Sequence, residues 1–136
     1  MNILIVDDNA AIRRLVAEIV LPFADEIREC SDGAEAVSAY IAQRADLVFM
    51  DIRMKQVDGI EAVKRIRAVD PFARIIMVTD YDDETLRQAA AREGACGYTL
   101  KDNLLDLICV LETITSNQKR REPSRPPGSS TDVSRG

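Results

Sequence analysis

A chain of 136 residues, 46% hydrophobic and 30% charged, is long enough for one domain with its own core and needs neither disulfides nor metal to hold it. It contains no histidine and no tryptophan, which removes Ser-His-Asp and Cys-His catalysis, histidine-ligated zinc and any self-supplied imidazole base. A net charge of −5 argues against nucleic-acid binding through the bulk of the surface.

Two hydrophobic periods then alternate along the chain. Ile3-Leu4-Ile5-Val6 is a short β-branched run and predicts a buried strand. Ile12, Leu15, Val16, Ile19 and Val20 recur at helical spacing and predict a helix with one apolar face, closed near Pro22. A weaker strand fits Ile27–Cys30, followed after Asp32-Gly33 by a helix whose apolar face is Ala36, Val37, Tyr40 and Ile41. Leu47–Met50 predicts a third strand; Asp58-Gly59 opens a helix through Ile60, Val63 and Ile66, closed at Asp70-Pro71. Ile75–Val78 predicts the fourth strand, and Leu86, Ala89 and Ala90 the next helix, closed at Gly94. Cys96–Leu100 fits a fifth strand before a last helix on Leu104, Leu107, Ile108 and Leu111, with Asp102-Asn103 at its start. Five β-then-α units in so short a chain imply an α/β fold: right-handed crossovers and a five-stranded parallel sheet with helices on both faces.

Beyond residue 116 the composition changes. Residues 117–136 carry three prolines, four serines and two glycines, which predicts a disordered tail or a truncated linker after a domain spanning 1–116. Five basic and two acidic side chains give that tail +3, while 13 basic and 21 acidic residues leave −8 on the body. The basic run reads as a solvated surface. Cys30, Cys96 and Cys109 form no C-x-x-C spacing, and the odd count suits a reduced compartment. Cys30 and Cys96 read as small buried side chains, and Met54 and Met77 as packing residues. No apolar run approaches the roughly 18 residues of a membrane span, and Asp7 interrupts the first run too early for a signal peptide. The expectation is a cytoplasmic protein with no membrane segment.

Ligands of open parallel sheets bind outside the carboxyl ends of the strands. Those ends carry Asp7 and Asp8 after the first strand, Asp51 after the third, Thr79 at the fourth and Lys101 after the fifth. Three carboxylates on one rim repel each other unless a cation joins them, and an oxygen-only ligand set suits a hard divalent ion, Mg²⁺ foremost. A lysine and a hydroxyl facing that cluster suit a phosphoryl group.

These residues resemble the receiver domain of two-component response regulators. The motifs stand as Val6-Asp7-Asp8-Asn9, Met50-Asp51-Ile52-Arg53-Met54 with Asp58-Gly59, Val78-Thr79, and Gly97-Tyr98-Thr99-Leu100-Lys101-Asp102, in order over residues 1–116. The resemblance implies a flavodoxin-like, doubly wound sheet with strand order 2-1-3-4-5. It implies Asp51 as the phosphoacceptor and Mg²⁺ held by Asp7, Asp8, Asp51 and the Arg53 backbone carbonyl. It also implies Lys101 and Thr79 on the phosphoryl oxygens, and Tyr98 as an aromatic that turns inward as Thr79 moves, switching the face of helix 4, strand 5 and helix 5. The implied partners are a sensor histidine kinase or a histidine-phosphotransfer protein, with a phosphorylation-dependent homodimer left open. The domain would act as a signalling phosphoacceptor that assists its own phosphorylation and dephosphorylation.

Several positions depart from the family pattern. Lys55 stands where proline is usual, and Asp80 follows Thr79 where Ala or Gly is usual, so a fourth carboxylate is expected to slow an incoming phosphoryl donor; the other reading has Asp80 capping helix 4 together with Asp82 or Asp83. Lys101 is followed by Asp102 and not the frequent proline, a pairing common in receivers of helix-turn-helix output regulators; DNA would then be met only through an effector domain that this chain does not contain. Arg53 and Tyr81, two past Asp51 and Thr79, are bulky enough to shield a phosphoryl group and predict a long-lived signal. A competing reading is a phosphorylation-independent pseudo-receiver that signals by binding alone. A flavin-binding protein of the same topology is excluded by Asp7-Asp8, which would repel the flavin phosphate.

Overall fold

The computed structural model describes residues 1–54 and 56–121, with side chains of the last helix described through residue 116. Lys55 and the segment from 122 onward, with most of the predicted tail, lie outside the described residues. In chain order the elements are β1 (Asn2–Val6), α1 (Ala10–Val20), β2 (Glu26–Cys30), α2 (Gly33–Ala42), β3 (Leu47–Met50), α3 (Gly59–Val69), β4 (Ile75–Thr79), α4 (Glu84–Glu93), β5 (Gly97–Leu100) and α5 (Asp106–Arg121). Short 3-10 turns follow α1 at Leu21–Phe23 and β5 at Lys101–Asn103. The last helix therefore starts at Asp106 and not at the predicted Asp102-Asn103, which lie in that tighter turn. The described residues divide into two units, Met1–Leu105 and a second that begins at Asp106.

All five strands pair in parallel in the order β2-β1-β3-β4-β5, as the family resemblance implies. The chain first steps outward from β1 to β2, then crosses back and proceeds through β3 and β4 to β5. Right-handed crossovers consequently put α1 on one face of the sheet and α2, α3 and α4 on the other. The three central strands are buried along their whole length, apart from half-buried Asn2, which is why they read as unbroken apolar runs. On the α2–α4 side, Leu4, Val6, Val48, Met50, Ile75 and Met77 form one core with Ala36, Tyr40, Ala62, Val63, Ile66 and Ala90.

Each α1–α4 start carries a polar cap. Asn9 Oδ1 accepts from the N–H groups of Ala11 and Ile12, Asp32 from Glu35, Asp58 from Glu61, and Asp83 from Thr85 and Leu86. Asp83, not Asp80, thus caps α4. Gly94 ends α4 at φ 115°, a left-handed conformation that favours glycine.

Three apolar expectations change. Leu15 and Ile41 are exposed, because α1 and α2 bury narrower stripes than the spacing suggested, Val16 and Val20 on α1 and Ala36 and Tyr40 on α2. Cys96, read as buried, is exposed, since it precedes the edge strand β5; Cys30 is buried, and burial first, then Glu35, pushes its thiol up to about 11.

Tyr40 also holds a polar tie inside the core. Its hydroxyl donates to Asp70 Oδ2 at 2.6 Å, and Asp70 Oδ1 accepts the Phe72 N–H at 3.0 Å. The Tyr40 bond, then the Phe72 bond, hold the Asp70 carboxyl below the usual range. A depressed acid stabilises the fold above its unfolded pKa and ceases to as pH falls through its folded pKa. Tyr40→Phe is therefore expected to cost about 1.5–3 kcal/mol at pH 7, a gap that narrows below about pH 4. Urea denaturation of both proteins across that range checks it.

Candidate functional site

The register of the sheet assembles the rim. Val6 pairs with Met50, so the residues that follow, Asp7 and Asp51, leave neighbouring strands side by side. Thr79 pairs with Leu100, which brings Lys101 to the same end. The Asp51 N–H donates to the Val6 carbonyl at 2.9 Å, tying the two carboxylate-bearing turns together.

Lys101 Nζ lies 2.8 Å from Asp7 Oδ2 and 3.4 Å from Asp51 Oδ2, and all three side chains are almost wholly buried. Ligand oxygens of Asp7, Asp8 and Asp51 lie within 4.8 Å of one another, with Asp8 exposed to solvent. Three carboxylates against one ammonium leave an excess of two negative charges at the rim. Burial, then the Asp7 charge, raise the Asp51 pKa from 3.8 to about 6, with Lys101 opposing. Burial also works against the charge on Lys101, but Asp7, then Asp51 and Asp80, outweigh it and hold its pKa above the ordinary lysine value.

The other named residues stand slightly apart. Thr79 is fully buried, and its hydroxyl accepts the Tyr81 N–H at 3.2 Å. Tyr98 is half-buried; its hydroxyl donates to the Tyr81 carbonyl at 2.6 Å, and the Arg87 guanidinium lies 4.3 Å from its ring centroid. Arg53 sits over the Tyr81 ring at 5.1 Å. The structure therefore brings Asp7, Asp8, Asp51 and Lys101 into one cluster and links Thr79 and Tyr98 through Tyr81.

Three supporting residues escaped the sequence reading. Arg13 donates to the Asp7 carbonyl at 2.7 Å and pairs with Glu29 at 3.0 Å, bracing the β1–α1 turn. Gly33 and Gly59 appeared only as boundary signals. The Gly59 N–H donates to the Ile52 carbonyl at 2.7 Å and the Gly33 N–H to the Val57 carbonyl at 3.1 Å, pinning both ends of the loop after Asp51. The Asp-Gly pairs were the available signal, since glycine just inside a helix also marks close backbone approach.

A doubly wound parallel sheet with carboxylates and a lysine on its carboxyl rim defines a flavodoxin-like α/β module with its site at the strand ends. The chain belongs to the family of response regulator receiver domains, which it matches over residues 3–111. It is 39% identical over 114 residues to the chemotaxis protein CheY of Bacillus subtilis (strain 168), covering 83% of this chain and 93% of that protein. Transcriptional regulatory protein LnrK of the same organism is 34% identical over 110 residues, covering 79% of this chain and 50% of LnrK. Among solved structures, the CheX-CheY-BeF3-Mg+2 complex from Borrelia burgdorferi superposes with a TM-score of 0.79 at 28% identity, over 85% of this chain and 89% of that one. The protein is thus a signalling domain of two-component systems. Among the described residues, no helix is long and apolar enough to cross a membrane.

Proposed function

We propose that this receiver accepts a phosphoryl group on Asp51 from the phosphohistidine of a sensor kinase or phosphotransfer protein. The observation that carries the reading is Lys101 Nζ held between Asp7 and Asp51 on an acidic rim. An Asp51 oxygen attacks phosphorus, the phosphorus–nitrogen bond of the donor breaks, and the imidazole leaves with the electron pair. Lys101 already sits within reach of Asp51, where its ammonium can follow the incoming phosphoryl oxygens.

The donor set fits Mg²⁺. It consists only of hard oxygens and carries two negative charges in excess of the Lys101 ammonium. Asp7, Asp8 and Asp51, with the Arg53 backbone carbonyl, would hold the ion. Once bound, it neutralises charge on the transferring group and lets an anionic nucleophile approach an anionic donor. CheY of Borrelia burgdorferi was crystallised with both BeF3 and Mg+2.

After transfer, the Thr79 hydroxyl leaves the Tyr81 N–H for a phosphoryl oxygen, and Tyr98 reports the change on the α4–β5 surface. Output would follow through a partner protein, through a homodimer, or through an effector domain outside the receiver; the match with this chain covers 50% of LnrK.

Incubation with Mg²⁺ and acetyl phosphate, read by intact mass, tests the proposal. One added phosphoryl group that disappears in Asp51→Asn supports it; no adduct with acetyl phosphate or a phosphohistidine donor leaves the pseudo-receiver reading in its place. Asp80 is exposed and its charge is felt at Lys101. Asp80→Ala is expected to raise the rate with the same donor about two- to five-fold at low salt, less at high salt. An unchanged rate at low salt refutes that role for Asp80.

A further inference from the structure

Tyr81 is the meeting point of three groups. Its N–H donates to the Thr79 hydroxyl at 3.2 Å, its carbonyl accepts the Tyr98 hydroxyl at 2.6 Å, and its ring lies under Arg53 at 5.1 Å. Arg53 comes from the loop that follows Asp51, whereas Tyr81 belongs to the loop between β4 and α4. The Arg53–Tyr81 stack thus spans the two loops that flank the acidic rim. On the far side, Tyr98 is clasped a second time by Arg87, which is itself oriented by Asp82 at 3.5 Å and Glu84 at 3.6 Å.

We infer that Arg53 is a positioning residue for Tyr98: by stacking on the Tyr81 ring it holds the Tyr81 peptide where its carbonyl captures the Tyr98 hydroxyl. The physical reason lies in how that peptide is anchored. A loop residue with an exposed side chain has few contacts to fix its peptide plane, and a displaced carbonyl loses a hydrogen bond as short as this one. Two restraints act on Tyr81 from the rim side, the Thr79 hydroxyl on its N–H and the Arg53 cation on its ring. The inference rests on the phosphoacceptor reading for its consequence. If Thr79 turns to a phosphoryl oxygen, its bond to Tyr81 is lost, and the Arg53 stack becomes the rim-side restraint that keeps the Tyr98 acceptor in place. The loop that carries the phosphoacceptor would then hold the switch tyrosine by a cation on an aromatic face, in parallel with Thr79.

A partly exposed cation–π contact is worth a factor of about two to five in a conformational equilibrium. Removing it should lower the ratio of bonded to released Tyr98 by that factor. The chain has three tyrosines and no tryptophan, so uniform 3-fluorotyrosine labelling gives three ¹⁹F resonances, assigned by single Tyr→Phe variants. Tyr40, bonded to Asp70 inside the α2–α4 core, serves as the reporter of an intact fold.

The experiment uses the full chain with no phosphodonor, so it does not depend on whether Asp51 accepts a phosphoryl group. In Arg53→Gln, the Tyr98 resonance should move toward that of the released ring while Tyr40 stays unchanged. Arg53→Lys, which keeps the charge, should restore much of the wild-type position. Tyr81→Phe, which keeps the ring and the peptide, should leave Tyr98 as in wild type, and Tyr81→Leu should reproduce Arg53→Gln. A Tyr98 resonance that stays in place in both Arg53→Gln and Tyr81→Leu overturns the inference. So does an equal shift in Arg53→Lys and Arg53→Gln, which would show that a retained cation at this position does not hold the Tyr81 ring. Absence of an acetyl-phosphate adduct in wild type would instead remove the consequence for signalling and leave the positioning result standing.

Discussion

In chelator-treated protein at pH 7, Asp51→Asn is expected to unfold at a higher temperature than wild type, while losing the capacity to accept a phosphoryl group. Asp51 is buried beside Asp7, and its pKa rises from 3.8 to about 6. A raised acid destabilises the fold above its folded pKa and has no such effect below its unfolded pKa. Between those limits the penalty grows with pH, and at pH 7 it is nearly complete. A shift of that size corresponds to at most about 3 kcal/mol, or roughly 5–10 °C in a domain of this length. The amide that Asp51→Asn introduces keeps the volume of the side chain and removes the charge. Below about pH 4 the two proteins should converge, and saturating Mg²⁺ should stabilise wild type more than the variant. Thermal unfolding at pH 7 with and without Mg²⁺ decides the matter. A variant less stable than wild type in chelator would mean that Lys101 more than offsets the burial and the Asp7 repulsion.

The second large effect concerns Gly59. A Cβ there would run into the Asp51 carbonyl oxygen and lie 2.8 Å from the Asp51 carbonyl carbon and 3.0 Å from Ile52 Cα. These are backbone atoms, so no side-chain rotation can relieve the clash. Alanine is the better helix former, and that preference works against the expected result. Overpacking of this kind nevertheless costs about 3 kcal/mol, and Gly59→Ala is expected to show a loss near that size in urea. Because the atoms that must move belong to Asp51, the proposed phosphoacceptor, acetyl-phosphate labelling should slow by at least about ten-fold. Gly97→Ala is the control. Its Cβ would meet only side-chain atoms of Ile76, the nearest at 3.3 Å, and a cost below about 1 kcal/mol is expected. Equal losses in the two variants would contradict the argument from backbone contact.

Much of the fold was legible because burial of a parallel sheet leaves a plain mark. Ile3–Val6, Leu47–Met50 and Ile75–Val78 read as strands since both faces of the central sheet are covered, and each recurs in the structure within a residue. Asp32, Asp58 and Asp83 could each be placed near helix starts from their chemistry, and all three accept the expected backbone N–H groups. The exposed sides were less legible. Leu15, Ile41 and Cys96 follow the apolar spacing but face solvent, because spacing gives the direction of a stripe and not its width.

The chain's own order of residues determined which groups can do chemistry. Carboxylates stand at two strand ends, a hydroxyl and a lysine at two others, and no histidine is available to act in their place. Strand periodicity puts each of them at the end of its element, since an apolar run must stop where the sheet meets water. Tertiary structure alone decided what those groups do to one another. Lys101 reaches both Asp7 and Asp51 only because parallel register aligns β1 with β3 and β4 with β5, across separations along the chain that carry no distance information. The role of Tyr81 was likewise hidden, for its peptide acts through hydrogen bonds that any residue type could make and only its place between Arg53, Thr79 and Tyr98 distinguishes it. Residue identity records burial and charge locally, whereas coupling depends on distances that exist only once the sheet has closed the loops between them.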